Sequence, residues 1–497
     1  MDNSQLKRKT LSGLLWKFGE RVFAQVVSLV VSIILARLLT PDDYGVVSII
    51  AIFFAFANVF ISGGLNTALV QKKEADIEDY SSVLIISLCI ALIIYLALFF
   101  CAPIIANIYG KEILIKVIRV MGITLIINAF KSVLCAYISS RLLFKKFFWS
   151  TIIGTILSAV IGIVLAVNGY GCWALVAQQM SNAVIDTFVL YITTRVRFVL
   201  KVSIQKTKKL FKFGWKILVA SSISVLYDEI NPLVIGVKYS SADLAFYSKG
   251  KSFPNLLNTT FSDTLSAVLF PAMSKVQDCK ALLLECTRRY MKVSSFIIFP
   301  LMIGFLAVAD NFIIVLLTEK WSFATIYLKA FCIVYMFNII QSGNLQVIRA
   351  MGRSDIILIL EVIKKSLYFI VIGLFIFLTD SPIYLALACV VNVLLATLIN
   401  TAPNRKLIGY SYREQIADLA LNFIISLIMG VAVYFLGQVN LNMYLLLFLQ
   451  IVAGIIIYVL LSLMLNASNI KYIIQMIKGF VKHEKEVGEN EVSKETN

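Results

Sequence analysis

The chain has 497 residues, 60% of them hydrophobic and only 15% charged, with a mean hydropathy of +0.89. No soluble domain hides that much apolar surface in a core, so most of it faces lipid or neighbouring helices. A formal net charge of +17 would point a soluble protein toward nucleic acid, but here the Lys and Arg follow the connections between apolar stretches, and no nucleic-acid partner is expected.

Fourteen apolar stretches of about twenty residues predict an all-α polytopic membrane protein. In chain order they run 14–38, 45–66, 81–102, 113–138, 147–167, 172–193, 214–238, 252–273, 292–317, 323–348, 355–378, 382–402, 414–436 and 442–465. Basic residues occupy every second connection: Lys7-Arg8-Lys9, Lys72-Lys73, Arg141 with Lys145-Lys146, the runs 195–212 and 275–292, Arg349 with Arg353, and Arg405-Lys406. The intervening turns, such as Asn168-Gly169-Tyr170-Gly171 and 437–440, carry little or none. By the positive-inside rule both termini and the basic loops are cytoplasmic, with anionic lipid headgroups as their neighbours. The first span follows a basic segment but is too long for the apolar part of a signal peptide, so it is read as the first membrane helix. Residues 470–481 read as a short amphipathic helix, and 482–497 as a charged, disordered tail.

The eight Cys are scattered without CxxC spacing and His483 is the single histidine, which argues against a disulfide framework and a His-built metal site. No cofactor or metal is expected. Gly250-Lys251-Ser252 has the look of a P-loop end, but Ala245 stands where the upstream glycine is needed, and loop charge puts the segment near the outer face. Nothing else in the chain points to ATP.

An internal repeat is visible at a spacing of roughly 200 residues, as transporters are often built. The fourth span has Met121-Gly122-Ile123-Thr124-Leu125-Ile126-Ile127-Asn128 before Lys131, and the tenth has Phe331-Cys332-Ile333-Val334-Tyr335-Met336-Phe337-Asn338 before Gln341. Trp16-Lys17 opens the first span as Trp215-Lys216 opens the seventh. Six spans per half is an even number, so the two halves would be parallel repeats with a cavity between them. The expected organisation is a six-helix lobe over 1–200, a second over 201–405, two further transmembrane helices over 406–466, and a cytoplasmic segment over 467–497.

Charge inside a bilayer is costly, so charged residues in spans normally face protein or a wet cavity. In the first span Lys17, Arg21, Gln25, Ser28 and Ser32 form one polar stripe at steps of three and four. Arg21 lies roughly 10 Å inside from Leu14 at helical rise, a depth at which a guanidinium meets an anionic group entering from the inner leaflet. The alternatives are that Arg21 snorkels to the headgroups or is neutralised by Glu20. In the seventh span Ser221, Ser224, Asp228 and Asn231 repeat the spacing; Asp228 and Glu229 are candidate coupling sites for H⁺ or Na⁺, or else a pair balanced by Lys238 or Lys249. The eighth span carries Pro254, Asn255, Asn258, Thr259, Ser262, Asp263 and Ser266, and reads as a gate or cavity wall, or as a helix buried among its neighbours. Asp263 joins the coupling candidates. Asn58, Ser62 and Asn66, then Asn128 with Lys131, then Gln178, Asn182 and Asp186 also fall at helical spacing, with helix-to-helix hydrogen bonding as the commoner role; the cavity polar candidates are Gln25, Ser28, Asn58, Asn128, Lys131 and Asn258. Glu361 and Lys365 are four apart and suited to pair, which leaves Lys364 as a second cation for a ligand. No nucleophile and base pair stands on a sizeable loop, so catalysis is not expected.

The segment Ile34-Leu35-Ala36-Arg37-Leu38-Leu39-Thr40-Pro41-Asp42-Asp43-Tyr44-Gly45, then Gly63-Gly64-Leu65, then Ala68-Leu69-Val70-Gln71-Lys72-Lys73 resembles the polysaccharide transporter family, the Wzx-type flippases of the multidrug/oligosaccharidyl-lipid/polysaccharide exporter superfamily. The resemblance is specific over the first two spans and extends to the rest by layout. It implies two six-helix lobes with two additional C-terminal helices, in a bacterial inner membrane. It also implies flipping of an undecaprenyl-diphosphate-linked oligosaccharide to the outer leaflet by alternating access, for O-antigen, capsule or exopolysaccharide synthesis. A polysaccharide polymerase or export machinery would be its protein partner. Cavity cations bind the diphosphate in such proteins, a role that falls here to Arg21, less directly to Lys17, and to Lys364. Arg37, Pro41, Tyr44 and Gly45 belong to the motif at the outer turn and read as structural or gating. Two rivals stay open: an ion-coupled drug exporter of the same superfamily, and a membrane-embedded polymerase or ligase of lipid-linked glycans.

Overall fold

The computed structural model describes residues 3–62, 64–72, 75–141, 143–199 and 203–465; residues 3–15, 17–18, 204–207, 209, 213 and 263–272 are described by backbone alone. The expected amphipathic segment and tail, 470–497, lie outside the described residues. What is described is helical, without strands. In chain order the helices are α1 (Asn3–Leu38), α2 (Pro41–Ser62), α3 (Leu65–Gln71), α4 (Ile77–Tyr109), α5 (Ile113–Met121), α6 (Ile123–Ser140), α7 (Lys145–Val167) and α8 (Cys172–Thr194). There follow α9 (Ile204–Lys238), α10 (Ser241–Lys275), α11 (Lys280–Leu317), α12 (Ala324–Ala350), α13 (Ser354–Leu378), α14 (Ile383–Ile408), α15 (Tyr412–Leu436) and α16 (Met443–Leu465).

Each expected span falls largely on helix among the described residues. Eleven segments among the described residues are long and apolar enough to cross a membrane. The expected spans outside that set fall on α8, α10 and α13, which carry more polar side chains: Gln178, Gln179 and Asp186; Lys249, Lys251, Asn255 and Asn258; Glu361, Lys364 and Lys365.

Two local features differ from the sequence expectation. The fourth span is broken at Gly122 into α5 and α6, where a Cβ would run into the ring of Tyr95 from α4. The basic loop after the second span contains α3, held down by a cluster of Leu65, Leu69, Tyr80, Val83, Val133 and Leu210. Beyond it, α4 begins with a reciprocal capping box: Asp76 Oδ1 accepts from the Asp79 amide at 2.8 Å, and Asp79 Oδ2 from the Asp76 amide at 3.0 Å.

By its internal contacts the chain divides into two compact units, Met1–Ser248 and Lys249–Asn497, the division falling inside α10. In the first unit α7 packs between α1 and α8, α6 lies against α4 and α8, and α9 runs along α2, α3 and α4. In the second unit α11 is central, touching α12, α15 and α16, while α14 packs on α12 and α13. The α12–α14 contact is polar at its core. Gln341 and Asn344 on α12, Asn400, Thr401 and Asn404 on α14, and Gln415 on α15 share hydrogen bonds of 2.6–3.5 Å. All six side chains are buried, and their hydrogen bonds to one another offset much of the cost of desolvating them, although the Asn400 and Asn404 Oδ1 atoms stay without a donor.

Candidate functional site

The polar stripe of the first span lies on α1, which is fixed to α7 around Trp16 and Glu20. The Trp16 and Phe148 rings meet edge to face with centroids 5.0 Å apart, and Thr151 Oγ1 donates to Glu20 Oε1 at 3.1 Å. Arg21, one residue further along, is exposed, as is Ser28, while Gln25 is half-buried. The expected roles of Lys17 and Asp263 lie outside the described side chains.

At the far end of α1 the motif builds a turn. Arg37 stands exposed in the last turn of α1, where a cation meets the negative end of the helix dipole. Pro41 is the first residue of α2, a position that asks for no N–H. Thr40 and Asp43 cap each other: Asp43 Oδ2 accepts from the Thr40 amide (3.0 Å) and hydroxyl (2.6 Å), and the Asp43 amide donates to Thr40 Oγ1 (3.2 Å). Tyr44 Oη donates to the Ser32 carbonyl at 3.4 Å, tying the turn back to α1. Gly45 is buried against the backbone of Ser241, so closely that a Cβ would overlap the Ser241 carbonyl. Asp42 accepts from the Ser241 hydroxyl and is ion-paired with Lys111. The motif is thus the contact surface between the starts of α2 and α10, with Lys111 from the α4–α5 turn as third member.

The remaining candidates are dispersed. Asn58 is half-buried, and its carbonyl accepts from Ser62 Oγ at 2.6 Å. Asp228 is exposed and Glu229 half-buried on α9. Asn231, one turn on, is 2% exposed and donates to Tyr247 Oη at 3.4 Å. Asn258 is buried on α10 and accepts from Ser262 Oγ at 3.3 Å. Lys364, which the sequence reading left over as a cation, is buried and ion-paired with Glu361 at 2.6 Å. Lys131 on α6 is ion-paired with Asp186 on α8, and Asn128 lies half-buried one turn before it. Among the described residues no group of three metal-ligating side chains occurs.

Several charged groups escaped the sequence reading. Arg288 holds Asp418 through Nε (2.7 Å) and Nη2 (3.3 Å), with Lys292 (3.1 Å) and Tyr410 Oη (2.9 Å) on the same carboxylate. Arg119 stacks over the Phe99 ring, 4.3 Å from its centroid. Their partners are remote in sequence, so helical spacing gives no sign of either.

Known proteins share the sequence pattern and the fold of this chain. The sequence pattern described as "Polysaccharide biosynthesis protein" matches residues 34–325. The succinoglycan biosynthesis transport protein ExoT of Rhizobium meliloti is 28% identical over 294 residues, 59% of this chain and 59% of that protein. The lipopolysaccharide biosynthesis protein WzxC of Escherichia coli is 24% identical over 449 residues, 87% of this chain and 89% of that protein. This chain therefore spans about three fifths of the first relative and most of the second. Among solved structures, the lipid II flippase MurJ in an inward closed conformation superimposes with a TM-score of 0.74, covering 92% of this chain and 100% of that one at 18% identity, a likeness of fold. With its many apolar helices this is a multi-pass membrane protein, and because the family pattern spans more than half of its length, the chain belongs to the polysaccharide biosynthesis protein family.

Proposed function

We propose that the protein is a flippase that moves an undecaprenyl-diphosphate-linked oligosaccharide from the inner to the outer leaflet of the bacterial cytoplasmic membrane by alternating access, with both termini cytoplasmic. The observation that carries this reading is the family pattern over residues 34–325, laid on a fold shared with a lipid flippase. Relatives named for succinoglycan transport and lipopolysaccharide biosynthesis point to the same class of lipid-linked glycan.

Arg21 is the residue assigned to the diphosphate. It is exposed on the polar stripe of α1 at a depth the inner leaflet reaches, and a guanidinium fork matches phosphate oxygens bidentately. Lys364 is a weaker candidate, since Glu361 already neutralises it. Asp228 and Glu229 on α9 are the carboxylates through which an ion gradient would give the cycle its direction, because only a differential affinity between two states can bias them.

The test is transbilayer movement of an undecaprenyl-diphosphate-linked oligosaccharide in proteoliposomes, with native protein, Arg21→Ala and Arg21→Lys. Movement by the native protein that is lost in Arg21→Ala and partly kept in Arg21→Lys is the expected result. Well-folded native protein that leaves the lipid where it started would sink the reading.

A further inference from the structure

Lys131 is the one charged residue of α6 and Asp186 the one charged residue of α8, and they are ion-paired. Counting about 1.5 Å per residue, Lys131 lies about 13 Å from the end of α6 at Ser140, and Asp186 about 12 Å from the end of α8 at Thr194. Both ends are cytoplasmic by loop charge. Arg21, about 10 Å along α1 from Leu14, lies at a similar depth.

The pair is lopsided. The Asp186 side chain is 8% exposed and its second oxygen, Oδ1, is buried without a hydrogen-bond donor. The Lys131 side chain keeps 34% of its surface open. A brace between helices needs both carboxylate oxygens satisfied to offset desolvation, and this one leaves an oxygen unsatisfied. From α7, Gly154 packs against the Asp186 backbone and Cβ, where a side chain would not fit without a shift.

The open side of Lys131 is not a lipid face. Asn128, Lys131, Ser132, Cys135 and Ser139 are half-buried at steps of one, three and four along one side of α6, with the half-buried apolar Ile127, Phe130 and Tyr137 round the other side, whereas the exposed side chains of α8 are Gln179 and the largely apolar Val184, Phe188, Tyr191 and Ile192. A half-open polar stripe inside a membrane helix borders a wet space rather than hydrocarbon.

We infer that Lys131 is a second diphosphate ligand, held in place by Asp186 until the substrate arrives. The inference rests on the flippase reading. An ammonium has three donors on a flexible stem. One stays on Asp186 Oδ2, and the others turn to phosphate oxygens on the open side. The bridging lysine then carries two anions at once, and Asp186 tempers its grip on the diphosphate, as a carrier that must let go requires.

The two roles make opposite predictions for Asp186→Asn. If the pair is only a brace, either single change weakens the protein and binding falls or stays level. If Lys131 is a ligand restrained by Asp186, Asp186→Asn removes a repelling charge and tightens binding. Lys131→Gln leaves the carboxylate facing the diphosphate and weakens it.

The experiment measures binding of undecaprenyl diphosphate to the full chain in detergent, with undecaprenol as the uncharged control. Variants are Asp186→Asn, Lys131→Gln and Lys131→Gln/Asp186→Asn, the last removing the pair without leaving a lone charge. Asp186→Asn is expected to bind on the order of fivefold tighter, and Lys131→Gln on the order of tenfold weaker, the scale of a single coupled charge. The double variant should fall between native protein and Lys131→Gln. Asp186→Asn binding no tighter than native protein, or Lys131→Gln binding equally well, overturns the inference while leaving the flippase reading in place. Native protein that does not distinguish undecaprenyl diphosphate from undecaprenol defeats both.

Discussion

The Ser241 hydroxyl donates to Asp42, and the Ser241 carbonyl lies where a side chain on Gly45 would have to go. The starts of α2 and α10 therefore meet backbone to backbone, and Gly45 is small because the contact leaves no room. Gly45→Val should force the turns apart at a cost of about 1–3 kcal/mol, as overpacking does elsewhere. Thermal unfolding in detergent reads this out. A Gly45→Val protein as stable as the native one would mean that the contact is dispensable.

The second of these turns repeats the first. Asp243 Oδ2 accepts from the Ser240 amide (3.2 Å) and hydroxyl (2.6 Å), and the Asp243 amide donates to Ser240 Oγ (3.0 Å), the arrangement of Thr40 and Asp43 a round 200 residues earlier. Such caps are worth about 1 kcal/mol each. Thr40→Ala and Ser240→Ala should each lower stability by that amount. Their effects should exceed simple addition, because the two caps support turns that touch. Strict additivity in the double variant would show that the turns act independently.

Tyr458 Oη on α16 donates at 2.7 Å to the carbonyl of Phe296 on α11. Four residues after Phe296 comes Pro300, which has no N–H to give, so the carbonyl is an acceptor that the helix cannot satisfy. Tyr458→Phe leaves it bare and should cost about 1–3 kcal/mol. Pro300→Ala returns the helical donor, and in that background Tyr458→Phe should cost much less. Equal costs in both backgrounds would break the link between proline and tyrosine.

Most helix positions were legible because hydrophobic length largely decides them in a membrane, and the motif from Ile34 to Gly45 marked the turn between α1 and α2. What it packs against was not legible, since Ser241 and Lys111 come from elsewhere in the chain. At Gly122, where α5 gives way to α6, the space a side chain would need is taken by Tyr95 on another helix. Lys131 and Asp186 were each visible as isolated charges, but nothing in their spacing says that α6 and α8 are neighbours. At Glu361 helix geometry permits partners three or four residues on; the sequence reading favoured Lys365, and the structure puts Lys364 on the carboxylate.

Two Arg–Asp ion pairs of the second unit share their chemistry and should behave differently. Arg353 and Asp355 are bonded at 2.7 Å with side chains 48% and 57% exposed, and an exposed pair adds little because water and salt replace it; Asp355→Asn should leave the unfolding temperature unchanged. Asp418 is 6% exposed and serves Arg288, Lys292 and Tyr410 together. Asp418→Ala strands all three donors and should cost about 2 kcal/mol. Burial, with the Asp418 carboxylate beside it, pushes the Tyr410 phenol well above its ordinary value of 10.0, so the hydroxyl remains a donor in the folded protein. A group raised by folding contributes stability that is whole below its unfolded value and lost as pH climbs past it. Native protein should therefore lose stability above about pH 10 more steeply than Tyr410→Phe, whose unfolded state has no phenol there to ionise. Parallel stability curves for the two proteins between pH 9 and 11, on the ordinary tyrosine scale of about 10, would remove Tyr410 from the network's energetics.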